Sequence, residues 1–478
     1  MLDLQGYGPR LIEGAGVTVQ LAVLSLILAI LLGLLTASAK MSRNWLLRRT
    51  ATVYTTVIRG VPDLVLMMLL FFGGQIGVNA ISDMLYYNYD IDIYINFNAF
   101  AAGVLTIGFI FGAYMGETFR GAFMAVDNGQ IEAGKAYGMS SGLVFRRIRF
   151  PQMMRHALPG LSNNWMVLLK TTALVSVIGL TDMVRVAAEA SRATHEPFVF
   201  LIPVAVAYLL IASVSEWIFA RLQKTLRHRL WGGSDMLDIS AWFNDLLADN
   251  LIFTPTTLGY YWEGLVTTTQ LVFLSLVAGL ILAVPLAIMR SSRHKWISLP
   301  VYLYTYVFRG TPLLIQLYII YYGVVFIDGI QETFLWPVLR EAFYPALIAF
   351  TLNTAAYTTE IFRGAIKATS KGEIEAARAY GMSQRLMMRR IILPSAFRRA
   401  LPAYGNEVIF MLHASAIASV VTLMDLTGAA RFVYARFYAP FDAFLFVAAI
   451  YLCLTFAILY FFRFLEKKLL AHLQPQTT

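Results

Sequence analysis

The sequence predicts an all-α, polytopic membrane protein built from two parallel five-helix repeats. Three observations carry that prediction. The 478 residues are 58% hydrophobic and only 14% charged, far more apolar than a soluble domain. The chain repeats itself: Ile131–Ser140, IEAGKAYGMS, returns as IEAARAYGMS from Ile374, and internal repeats of this kind mark duplicated units. Loops at matching places in both copies are basic, which orients them alike.

About 20 apolar residues span a bilayer as a helix. Ten stretches have that length: 12–39, 54–77, 98–119, 157–181, 198–220, 264–289, 301–327, 342–362, 400–424 and 442–462. The short alternating strands of an outer-membrane barrel are not seen in the sequence. The repeat pairs the stretches. Glu13 onward, EGAGVTVQLAVLS, matches Glu263 onward, EGLVTTTQLVFLS, and YTTVIRGVP from Tyr54 matches YTYVFRGTP from Tyr304. Both pairs are offset by 250, whereas from Glu117 and Glu360 onward the offset is 243. The second copy is therefore seven residues shorter between its second and third spans. Net charge is +10, as cytosolic loops require, and gives no reason to invoke nucleic acid. The N-terminus lacks a basic n-region and a small-residue cleavage site, so no removable signal peptide is expected. The single cysteine, Cys453, forms no internal disulfide.

Orientation follows from the loops. Lys40, Arg43, Arg48 and Arg49 separate spans one and two, Arg290, Arg293 and Lys295 their counterparts, and 363–399 holds nine Lys or Arg against two Glu. The 78–98 loop holds Asp83, Asp90 and Asp92 with no base. The positive-inside rule puts the repeated stretches in the cytosol and both N-termini outside. Five spans then leave the first copy inside, and the second must restart outside. The linker, about 230–262, should cross, yet it carries Asp235, Asp238, Asp245 and Asp249. Ile239, Trp242, Phe243, Leu246 and Leu247 have helical spacing, which predicts an interfacial helix over about 236–252. The expected domains are 1–235 and 236–478. Met236 also stands where a second polypeptide would begin, so two subunits joined by fusion or in numbering alone remain open.

The repeated stretches are polar amid oily neighbours. GEIEAARAYG is rich in helix formers and bracketed by Gly372 and Gly381. Such a helix carries Ala376, Ala379 and Tyr380 on one side, small residues for close approach and a ring for a pocket, as in helix-in-groove recognition. An ordinary surface helix would not account for two near-identical copies, and two copies imply two grooves. A decoy lies beside it: Gly129, Gly134 and Lys135 give G-x4-G-K, but Ala136 follows where Ser or Thr should hold the metal.

These stretches resemble the E-A-A-x3-G-x9-I-x-L-P loop of the permeases of ABC importers. Glu375, Ala376, Ala377, Gly381, Ile391, Leu393 and Pro394 fit throughout; Glu132, Ala133, Gly138, Ile148 and Pro151 fit, with departures at Gly134 and Phe150. Other stretches, among them GETFRGAFMAVDNGQIEA and LPAYGNEVIFMLHASAIASVVTLMD, resemble the two permease subunits of bacterial histidine/lysine/arginine/ornithine importers, over nearly the whole chain. The resemblance implies a type I ABC importer permease fold in the bacterial inner membrane. It implies import of basic or polar amino acids by alternating access, a periplasmic binding protein that delivers them, and two separate ATPase subunits that use ATP and magnesium. This chain itself is then no enzyme and needs no cofactor. Glu132, Ala133, Tyr137, Gly138, Glu375, Ala376, Ala377, Tyr380 and Gly381 become the expected ATPase-coupling residues, and membrane lipid the surrounding partner.

Ionisable groups inside a membrane are expensive and need a partner or a role. The fourth spans carry Asn163, Asn164 and Lys170 against Asn406, Glu407 and His413. Asn163 and Lys170 are seven apart and share a helical face, as do Asn406 and His413. They are candidate path residues: Glu407 for a cationic side chain, Lys170 for a substrate carboxylate, with an interhelical lock as the equal alternative. Asp182 and Asp425 close these spans on the outer side, where they meet a basic substrate or cap a helix. Arg59 with Glu117, and Arg309 with Glu360, are expected to pair near the cytosolic ends, as structure or gate. Gly108, Gly112 and Gly116 suit close helix packing. His156, His195 and His294 have no ligand spacing, so no metal site is expected. A secondary carrier would more often have inverted copies; a membrane enzyme would need a catalytic constellation that the spans do not contain. The same importer class with another cargo, such as glutamine, stays open.

Overall fold

The computed structural model describes residues 4–90, 98–226, 254–292, 294–327 and 329–470. Most of the linker, with the expected interfacial helix at 236–252, lies outside the described residues. Every regular element among the described residues is helical. The first repeat contains α1 (Gly8–Lys40), α2 (Trp45–Gly60), α3 (Asp63–Tyr89), α4 (Ala99–Met124), α5 (Asn128–Ala136), α6 (Ser141–Val144), α7 (Phe150–Thr171), α8 (Met183–Thr194) and α9 (Pro197–Leu226). The second contains α10 (Pro255–Arg290), α11 (Lys295–Gly310), α12 (Leu313–Val325), α13 (Trp336–Leu339), α14 (Phe343–Lys367), α15 (Lys371–Ala379), α16 (Gln384–Met387), α17 (Leu393–Ala414), α18 (Leu426–Phe437) and α19 (Pro440–Leu470). Apart from α13, each helix has its counterpart at the offset that the sequence repeat sets.

Seven described helices are long and apolar enough to cross a membrane: Gly8–Lys40, Asp63–Asn88, Ala99–Met124, Pro197–Phe219, Thr256–Arg290, Gln384–Val421 and Pro440–Leu469. Four expected spans differ. Stretch 157–181 falls on α7, whose apolar run is broken by Asn163, Asn164 and Lys170; stretch 342–362 falls on α14, which ends in Glu360, Arg363 and Lys367. Stretch 301–327 is not one helix at all, and neither is 54–77. Pro62 and Pro312 hold Val61 and Thr311 in extended conformation, at ψ 141° and 148°, because the proline ring clashes with a helical residue before it. The amphipathic helices α2 and α11 therefore end at Gly60 and Gly310, and the spans restart behind the prolines.

The chain divides into two compact units that exchange short segments of sequence. The first comprises 1–193, 206–259 and 433–445; the second comprises 194–205, 260–432 and 446–478. Within the first, the expected close approach is present. Glycines of α4 face side chains of α1: Gly108 meets Leu28, Gly112 meets Leu32 and Gly116 meets Thr36, while Gly33 of α1 receives Met115. A Cβ on any of the four would fall within 2.9 Å of its neighbour. Within the second unit the glycine has changed sides: Gly279 of α10 receives Thr354 of α14.

Candidate functional site

The repeated stretch folds as a capped helix, twice. Asp127 and Ser370 cap α5 and α15, accepting hydrogen bonds from the Gly129 and Glu373 amides at 2.8 and 3.2 Å. Gly138 and Gly381 end the helices at φ +78° and +73°, the left-handed position that glycine takes without strain. Around each turn two bonds close a Schellman motif. The Met139 and Met382 amides reach the Gly134 and Ala377 carbonyls at 3.1 Å, and the Gly138 and Gly381 amides reach Lys135 and Arg378 at 2.9 Å. Ser140 and Ser383 then cap the next turn. Tyr-Gly-Met-Ser thus reads as last turn, left-handed cap, packed methionine and new helix start.

One face of this helix is covered and one is not. Ala377 is buried with Phe362, Met387 and Ala396, and Ile374, Ile391 and Leu393 pack around them. Ala377 therefore faces its own unit, whereas Gly381 is exposed at the helix end. Glu375, Ala376, Ala379 and Tyr380 are exposed, as are Glu132, Ala133, Ala136 and Tyr137 in the first copy. The two tyrosines are 88% (Tyr137) and 86% (Tyr380) exposed, which leaves each ring free for a groove. The departure at Gly134 has a cause: Gly134 is buried, and a Cβ there would lie 2.5 Å from Ile148 Cδ1.

Behind the capped helix the chain makes a π-helical turn, Phe145–Arg149 and Met388–Ile392, before entering α7 and α17. The prolines at 151 and 394 explain it. Each lacks an N–H and crowds the carbonyl four residues back, and the amides of Phe150 and Leu393 bond five residues back instead, to Phe145 and Met388.

On those spans the expected path residues separate into two sets. Asn163 and Asn406 are exposed, and Lys170 and His413 are half-buried; His413 Nε2 lies 3.0 Å from the Thr455 hydroxyl. Asn164 and Glu407 instead point into their own units, 9% and 6% exposed. Asn164 donates to Thr118 of α4 at 3.0 Å, and Glu407 accepts from Thr354 of α14 at 2.9 Å. Asp182 and Asp425 are buried and cap the helices that follow, α8 and α18. Asp182 accepts from the Arg185 amide at 3.0 Å; Asp425 accepts from Thr427 and Gly428 at 3.1 and 2.9 Å. Burial pushes both carboxyls up to about 7.

The expected Arg59–Glu117 and Arg309–Glu360 pairs are replaced. Glu117 takes Lys40 and, at 3.0 Å, Arg120; Glu360 takes Arg290 at 3.3 Å and Arg363 at 2.5 Å. The short turn after α1 brings Lys40 against Thr55 and Glu117, whereas Arg59 lies a turn further along α2, over the Tyr114 ring; Arg309 lies likewise over Tyr357. Lys40 and Arg290 were legible as a matched pair of cations at the 250 offset, but nothing in the sequence alone tied them to the glutamates. No cluster able to hold a metal ion occurs among the described residues.

A family model described as "Binding-protein-dependent transport system inner membrane component" matches residues 29–228 and again 275–471. The chain belongs to this family and carries its domain twice. It is accordingly a multi-pass permease and not itself an enzyme, and ATP hydrolysis belongs to a separate protein. Similar proteins include the histidine/lysine/arginine/ornithine transport system permease protein HisQ of Salmonella typhimurium, 49% identical over 46% of this chain and 95% of that protein. The corresponding HisM of Escherichia coli is 48% identical over 46% and 93%. The octopine transport system permease protein OccM of Rhizobium meliloti is 45% identical over 42% and 83%. A crystal structure of an amino acid ABC transporter with histidines matches at 36% identity and TM-score 0.40, over 45% of this chain and 96% of that one. Each family member of this kind works with an ATPase and a binding protein.

Proposed function

We propose that this chain is the membrane path of an ATP-driven importer that moves histidine, lysine, arginine and ornithine into the bacterial cytoplasm. The twofold coupling helix, exposed on its Glu-Ala-Ala-Tyr face and seated on its own unit by the opposite face, is the observation that carries the reading. The names of the relatives support the cargo. Two ATPase subunits, holding ATP and magnesium, dock on α5 and α15 from the cytosol; a periplasmic binding protein delivers the amino acid at the other face, where both N-termini lie. Inner-membrane placement and this orientation rest on the basic loops at Lys40, Arg290 and 363–399.

The mechanism is population shift. The ATP-closed motor binds the outward-open permease better than the inward-open one, and only that difference drives the change. The π turns at 145–149 and 388–392 carry it into α7 and α17, whose exposed Asn163 and Asn406, with Lys170 and His413, line the proposed path.

The test is uptake into proteoliposomes holding the full chain, its ATPase and its binding protein. Labelled arginine and histidine should accumulate only with ATP, and Tyr137→Ala with Tyr380→Ala should abolish both accumulation and co-purification of the ATPase. Uptake driven by an ion gradient without ATP would overturn the assignment, and preference for glutamine over arginine would move the cargo.

A further inference from the structure

The proline breaks at Pro62 and Pro312 detach α2 and α11 from the spans that follow, and what is left exposed is unusual for a short helix. Trp45, Leu46 and Leu47 are exposed together on the first turn of α2, and Trp296, Ile297 and Leu299 on that of α11. Burial starts only beyond, at Ala51, Thr55 and Ile58 and at Val301 and Thr305. A turn with tryptophan and leucine uncovered is costly in water and stable at the boundary between headgroups and acyl chains.

Charge distinguishes the two helices. Arg43, Arg48 and Arg49 are exposed around Trp45, and the Arg49 guanidinium lies 5.3 Å from the Trp45 ring centre. Arg48 and Arg49 stand three and four residues after Trp45, so all three share a face. No Asp or Glu occurs between Glu13 and Asp63, and the nearby Glu117 is already matched by Lys40 and Arg120. In the second copy Arg290 is committed to Glu360 and to the Tyr302 ring; Arg293, His294 and Lys295 precede Trp296, but Ser298 and Leu299 stand where the first copy has Arg48 and Arg49.

We propose that Arg43, Arg48 and Arg49, with Trp45, bind the phosphate-bearing headgroup of an anionic phospholipid in the adjoining leaflet. The guanidinium forks grip phosphate oxygens in pairs, the indole fixes depth in the headgroup layer, and the uncompensated positive charge selects anionic over zwitterionic lipid. Lys295 with Trp296 makes a weaker counterpart.

Native mass spectrometry of the detergent-solubilised full chain, titrated with phosphatidylglycerol or phosphatidylcholine, tests this. Phosphatidylglycerol should be retained preferentially, and the preference should fall about fivefold for each arginine changed to glutamine. R43K/R48K/R49K should keep most of it, and K295Q should reduce it less than any one arginine change. Equal retention of both lipids by the unaltered chain would overturn the site, as would an undiminished preference in R43Q/R48Q/R49Q with an unchanged circular dichroism spectrum. Neither readout depends on transport, so the site and the importer assignment fail separately.

Discussion

The ends of the two repeats that carry α5 and α15 and the middles of α7 and α17 diverge in different ways. At the ends the copies agree position by position, with exchanges such as Lys40 for Arg290 and Asp127 for Ser370. A glutamate on α4 or α14 is held between a cation at the end of α1 or α10 and an arginine one turn on. Helices α5 and α15 have the same Schellman turn, the same exposed tyrosine and the same π turn behind them. In the fourth helices the backbones correspond and the chemistry does not. Asn164 reaches Thr118, whereas Glu407 reaches Thr354, seven residues nearer the start of α14 than the counterpart of Thr118. On the proposed function the ends would face two like motor subunits, which accounts for their likeness. The middles hold different partners within their own units, Thr118 and Thr354.

The largest effect expected from breaking this likeness is at the ends. Glu117→Gln strands Lys40 and Arg120, and Glu360→Gln strands Arg290 and Arg363; each should cost about 3 kcal/mol, read as a lowered thermal midpoint. A loss at one position without the other would break the equivalence of the ends. Next is Glu407→Gln. Since Glu407 lies against Thr354, its removal should cost about 1 kcal/mol and lower arginine, lysine and histidine uptake equally. A selective loss of the cationic cargoes would return Glu407 to the path and sharpen the asymmetry.

A third expectation concerns pH. Asp182 has its carboxyl at about 7 against an ordinary 3.8, so the folded chain holds a proton that the unfolded chain has lost. The contribution is present in full below about pH 4 and is lost as pH rises through 7. Asp182→Asn should flatten the pH dependence of the thermal midpoint across that window, and so should Asp425→Asn; an unchanged profile would sink the burial argument. The smallest effect is at the motif's departure. Gly134→Ala should cost about 1 kcal/mol, because Ile148 Cδ1 is the movable end of a flexible side chain, and ATPase co-purification should persist.

Much of this was readable in advance. The offsets of 250 and 243 place nearly every matched helix, and Glu-Ala-Ala with its spaced glycine and proline locates the coupling element. What was hidden depended on where the chain bends. RGVP and RGTP carry the proline that splits a span, but hydropathy runs straight through it, and so 54–77 and 301–327 read as continuous. With α2 taken as part of a span, Arg59 looked like the partner of Glu117, and Lys40 looked like a loop charge. Asn164 and Glu407 were found by their cost in a membrane, but the direction they point depends on Thr118 and Thr354, ordinary hydroxyls that sequence does not distinguish.

The glycines of the first and third helices have a consequence for biogenesis. The two halves share their order of helices, and each first helix has two third helices to choose between. Only one choice fits. Pairing α1 with α14 would set Leu28, Leu32 and Thr36 against Thr351, Ala355 and Thr359 where they now meet Gly108, Gly112 and Gly116. It would also press Thr354 onto Ala29, where Gly279 now receives it. Side-chain volume, divided differently between the two pairs, would then act as an address that sorts the corresponding helices to their own half.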